Sequence, residues 1–72
     1  MVDEKVLSSE IQDFLMAQDT LKRVVFVRRY WFCDSFSSIA EQCNISESNV
    51  KMILSRMRKN LKQYLEERGL RQ

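Results

Sequence analysis

Residues 36–65 read FSSIAEQCNISESNVKMILSRMRKNLKQYL: a short apolar-faced segment, a tight turn and a long basic segment. Phe36, Ile39, Ala40 and Cys43 recur at helical spacing on one face. Ala40 is small enough for a second helix to approach closely. In Cys43-Asn44-Ile45-Ser46, Asn44 is one of the few non-glycine types that tolerate a left-handed conformation. Ile45 then points back toward a core, and Ser46 is a good N-cap for the next helix. Beyond it, Val50, Ile53, Leu54, Met57, Leu61, Tyr64 and Leu65 form one continuous apolar stripe. The opposite face carries Ser48, Asn49, Met52, Ser55, Arg56 and Lys59. This pattern predicts a helix-turn-helix whose second member is a recognition helix.

The polar face argues against a hairpin that merely packs. Lys51, Arg56, Arg58, Lys59 and Lys62 succeed one another with no Asp or Glu between them. A solvated helix usually mixes signs to gain i,i+4 pairs. The whole chain repeats the asymmetry. Its net charge is only +2, but residues 1–20 carry −4 and residues 21–72 carry +6. One end is thereby suited to nucleic acid and the other to a different partner.

Seventy-two residues with 44% hydrophobic content make one small domain. One Gly, no Pro and little strand-like alternation predict an all-α fold of four helices. Cys33 and Cys43 stand without His or further ligands, so they cannot build a structural zinc site. Cys43 reads as a small core residue and Cys33 as a residue near a turn. Catalysis is set aside: there is no His, no phosphate-cradling Gly loop and no partnered nucleophile. No cofactor and no metal are expected. No apolar run reaches the length of a membrane span and no signal peptide is apparent, so a cytoplasmic protein is expected.

Residues 1–7 are charged and expected to fray as a disordered tail, with the folded domain at 8–72. Ser8 or Ser9 caps a first helix with Leu7, Ile11, Phe14 and Leu15 as its apolar stripe, ending near Ala17-Gln18. Asp19 or Thr20 caps a second helix that runs to about Phe32. Of its terminal aromatics Tyr30-Trp31-Phe32, Trp31 is expected to bury as the largest core residue. Cys33-Asp34-Ser35 breaks the helix, and Asp34 or Ser35 caps the third helix. The fourth closes at Gly69, with Leu70 folding back on the last turn.

Recognition helices address bases through their first two turns. The outward positions there are Ser48, Asn49, Lys51, Met52, Ser55 and Arg56. Lys51, Met52, Ser55 and Arg56 are the candidate base readers: Arg56 has the fork that pairs with guanine, and Met52 offers apolar contact to a thymine methyl. Ser48 and Asn49, at the helix start, suit phosphate. Arg58, Lys59 and Lys62, with Arg28 and Arg29 from the second helix, complete the candidate phosphate set. At the acidic end, Ile11, Phe14 and Leu15 are the candidate partner-binding residues.

Several blocks in order resemble region 4 of bacterial sigma-70 family factors, in particular the extracytoplasmic-function group. They are Val25 to Trp31 (VFVRRYW), Asp34 to Glu41 (DSFSSIAE), Ile45 to Lys51 (ISESNVK) and Leu54 to Leu61 (LSRMRKNL). The similarity runs from about Glu10 to Leu70. Departures are Met-Ala-Gln-Asp where Leu-Pro is frequent, Asn44 for the usual Gly, and Cys33 where Gly is common; none touches the reading helix. The resemblance implies reading of the −35 promoter element in the major groove. It also implies docking on the beta-subunit flap of RNA polymerase and inhibition by an anti-sigma factor. It implies a longer factor too, whose region 2 reads the −10 element, and a monomer in isolation. Two other readings compete: a dimeric response-regulator type helix-turn-helix, and a sigma-like interaction module that reads no DNA.

Overall fold

The computed structural model describes the backbone of residues 4–69 and the side chains of residues 8–69. Among these are four helices and no strand: α1 (Glu4–Met16), α2 (Thr20–Tyr30), α3 (Phe36–Cys43) and α4 (Glu47–Glu67). The all-α architecture with a C-terminal helix-turn-helix is as the sequence predicts.

Local chemistry sets the helix ends. The Lys22 N–H donates to Asp19 Oδ1 at 3.0 Å, the Ser38 N–H to Ser35 Oγ at 3.0 Å, and the Asn49 N–H to Ser46 Oγ at 3.0 Å. Each cap satisfies an N–H that the helix itself leaves orphaned. Between α3 and α4, Asn44 takes the left-handed conformation at φ 57°, ψ 45°. The Asn44 N–H donates to Glu41 O at 3.3 Å and the Ile45 N–H to Ala40 O at 3.0 Å. Those paired bonds are a Schellman closure, and they redirect the chain within two residues. Cys33 is the second non-glycine residue at positive φ, 57°, and sits in the α2–α3 corner where the resemblance expects Gly. Gly69, at φ 75°, comes just after the end of α4 as expected.

Nine residues from all four helices form the core: Phe14, Leu15, Val25, Phe26, Ile39, Ala40, Val50, Leu54 and Met57. Ile39, Val50 and Leu54 are fully sealed, so the helix-turn-helix packs on its own apolar faces and on α2. Cys43 and Ile45 pack against this core from the turn, as their spacing indicates. α1 is held to the far part of α4. The Phe14 and Tyr64 rings lie 5.4 Å apart, and Arg68 Nε stands 3.1 Å from Glu10 Oε2. That carboxylate oxygen is shielded from solvent, and Arg68 approaches it off the hydrogen-bonding line, so the contact is an ion pair without a hydrogen bond.

Three expectations are corrected. α1 starts at Glu4, before the caps expected at Ser8 or Ser9. α2 stops at Tyr30, with Trp31 as its cap, two residues short of Phe32. Trp31 is 61% exposed instead of buried. Five residues beyond Phe26, it lies well round the helix from the core face at about 100° per residue. Phe26 fills the inward position, and the Tyr30 and Trp31 rings lean on it at 4.7 and 6.4 Å. The Leu7 side chain and Leu70 lie outside the described residues.

Candidate nucleic-acid interface

The base-reading candidates Lys51, Met52, Ser55 and Arg56 are all exposed on α4. Helical periodicity places Met52, Ser55 and Lys59 directly opposite the buried line of Val50, Leu54 and Met57. Arg56 flanks that outward line on one side, Lys51 and Arg58 on the other. Ser48, Arg58, Lys59 and Lys62 are exposed, and Asn49 is half-buried. Among the described residues, none of Lys51, Arg56, Arg58, Lys59 and Lys62 is paired with a carboxylate. An exposed helix with side chains is about 10–12 Å across, which matches a major groove about 12 Å wide.

The start of α4 is less favourable to an anion than its polarity implies. Ser46 Oγ already takes the Asn49 N–H, and the Glu47 carboxylate stands exposed in the first turn. A negative side chain there competes with a phosphate for the positive end of the helix dipole. Ser48 and Asn49 are thus present at the expected place, but beside a like charge.

Arg28 and Arg29 do not project freely. Arg28 Nη1 pairs with Asp34 Oδ2 at 3.3 Å, both side chains being partly exposed. Arg29 Nη1 donates to the Asp34 carbonyl at 3.0 Å, and its guanidinium lies 4.1 Å from the centroid of the Phe36 ring. These contacts brace the corner between α2 and α3. Lys51 Nζ approaches the same ring at 5.4 Å. Arg58 Nη1 donates to Tyr30 Oη at 3.0 Å, linking α4 back to α2.

Sequence reasoning misses two contributors. It assigns Phe36 to the apolar face of α3, where the half-buried side chain does pack against the core, but not to the approach of two cations, Arg29 and Lys51, to its ring. The signal is available: an aromatic in the first position after a serine cap, where polar residues are usual. Tyr30 gives no such signal, since its partner lies 28 residues away.

The partner-binding candidates separate. Phe14 and Leu15 are core residues, 4% and 6% exposed, and Ile11 is half-buried beside them. The open apolar surface lies alongside. Phe32, 69% exposed, stands between two shallow grooves: one is lined by Gln12, Leu15, Val27 and Trp31, the other by Val24, Arg28, Asp34 and Gln42. Among the described residues no helix is long and apolar enough to cross a membrane.

Residues 11–61 match the family model described as Sigma-70, region 4. The matched span takes in all of α2 and α3, part of α1, and α4 as far as Leu61. No curated protein matches the chain. Region 4 domains are DNA-binding modules of transcription initiation, not enzymes; in general they bind promoter DNA at the −35 element and contact RNA polymerase. With more than half of its 72 residues inside the match, and a four-helix fold ending in a helix-turn-helix, the chain belongs to the sigma-70 family as a region 4 domain.

Proposed function

We propose that this chain is the −35-reading module of a sigma factor of the extracytoplasmic-function type, with α4 lying in the major groove. The observation that carries this reading is the exposed, acid-free face of α4 from Lys51 to Lys62, none of whose cations is paired with a carboxylate among the described residues. Met52, Ser55, Arg56 and Lys51 address base edges. Lys59, Lys62 and Arg58 neutralise backbone phosphates, and Ser48 and Asn49 guide the helix start.

Arg56→Ala tests base reading. It should cost roughly 1–3 kcal/mol on the preferred duplex and flatten discrimination at one base pair. Binding is measured against single-base variants of the −35 element for wild type and variant. An equal loss on every variant would reduce Arg56 to a phosphate anchor.

Polymerase docking, by the beta-subunit flap, is assigned to the apolar surface around Phe32 and Trp31, with Ile11 and the edge of Leu15 beside it. An anti-sigma factor would compete there. Phe14 is a poor probe because a charge placed there would be buried without a partner. Phe32→Asp, on the surface, should leave helicity and DNA binding intact and abolish binding to core polymerase. Retained polymerase binding would move the docking surface elsewhere.

A further inference from the structure

Arg29 of α2 and Lys51 of α4 are brought onto one aromatic ring from two different helices. Their charged groups lie 4.1 and 5.4 Å from the Phe36 centroid. Whichever faces they take, the two charges stand within about 10 Å, roughly a Debye length. Neither is paired with a carboxylate among the described residues. Asp34 gives its Oδ2 to Arg28 and offers Arg29 only a backbone carbonyl, which Nη1 occupies. Glu47, one turn before Lys51 on α4, makes no ion pair with it. Two like charges are therefore gathered at the start of α4 with no carboxylate in ion-pair contact with either. The ring holds them by cation–π attraction, and an incoming oxyanion would relieve their repulsion.

We infer that Arg29 and Lys51 grip a single backbone phosphate of the DNA duplex between them, with Phe36 as the positioning residue that sets their separation. The inference rests on the proposed promoter reading and changes one part of it. Lys51 becomes a phosphate anchor, and base reading contracts to Met52, Ser55 and Arg56.

The test uses the 72-residue chain and a duplex carrying its preferred −35 sequence, selected from a randomised pool. Each phosphate is replaced in turn by an uncharged methylphosphonate, and binding is measured by fluorescence anisotropy across a salt series. One position should weaken wild-type binding about tenfold yet leave the Arg29→Ala/Lys51→Ala double variant unaffected. The double variant should lower the salt slope by about 1, the value for one phosphate. Lys51→Ala alone should weaken all single-base variants equally. Phe36→Leu should weaken binding about threefold and Phe36→Tyr restore it, since tyrosine keeps the ring. If Phe36→Leu loses helicity, the two cation variants decide.

Relaxed discrimination at one base pair in Lys51→Ala overturns the shared grip. So does a slope change of about 2 with two separate sensitive phosphates. A wild-type chain that prefers no −35 duplex sinks the promoter reading and the grip together. A clear wild-type preference, with no phosphate coupled to the pair, sinks the grip alone.

Discussion

The two halves of this small domain are built on different terms. In α3–α4, every junction is closed by a residue next to it in sequence: Ser35, Asn44 and Ser46 each bond a neighbour three to five residues away or take the dihedral the turn requires. In α1–α2, position depends on distant contacts. α1 meets α4 through Phe14 on Tyr64 and Glu10 beside Arg68, about fifty residues or more along the chain. The contrast shows where rigidity is placed. The helix-turn-helix carries its own geometry, whereas α1 borrows its position from the far end of α4, and Trp31 and Phe32 at the end of α2 stay uncovered.

The largest loss is expected from Leu54→Ala. Leu54 is fully buried where both halves meet, and truncation there should cost about 2–5 kcal/mol. A domain of this size holds roughly 4–11 kcal/mol in total, so the loss should appear in urea melts as one cooperative transition at much lower midpoint. Separate melting of the two halves would show that the core is not shared.

A smaller effect sharpens the local side of the contrast. Ser46→Ala should cost about 1 kcal/mol through the lost cap, and Asn44→Ala about 1–2 kcal/mol through the left-handed dihedral. Asn44→Gly should be neutral or mildly stabilising, since glycine adopts that conformation freely. If Asn44→Ala melts like wild type in the same urea series, the turn is held by packing and not by its own backbone.

The smallest change addresses α1. Glu10→Gln removes the ion pair with Arg68, a side chain half exposed, and should cost less than about 1 kcal/mol, shrinking further in high salt. Amide exchange in α1 should rise only slightly, because Phe14 and Leu15 still anchor it. Full loss of α1 protection would make the ion pair its principal attachment.

What is legible in the sequence is what local chemistry decides. Asp19, Ser35, Asn44, Ser46 and Gly69 are readable because capping and left-handed turns are decided by the residue and its close neighbours. The apolar stripe of α4 identifies Val50, Leu54 and Met57 correctly for the same reason. Trp31 is misplaced because large size argues for burial, while the competition among the aromatics of α2 is settled by Phe26 taking the inward position. Arg28 and Arg29 look like free cations in the sequence because Asp34 and Phe36 lie beyond a helix break, and their return to the arginines depends on the left-handed turn at Cys33. The open apolar surface lies at Trp31 and Phe32 instead of Phe14 and Leu15 for a related reason: periodicity finds an apolar stripe but does not say which part of it another helix will cover.

The length of α4 has a consequence for how the two ends communicate. Its 21 residues span roughly 30 Å, with the Ser46 cap at one end and Arg68 beside Glu10 at the other. At physiological ionic strength fields decay over about 8 Å, so the ion pair at the far end is electrically blind to whatever fills the groove at the near end. A charge that a partner places beside Glu10 and Arg68 is therefore screened from the Ser46 end of the helix. Through that contact a partner could act on the first turn of α4 only along a stiff rod, as a matter of aim.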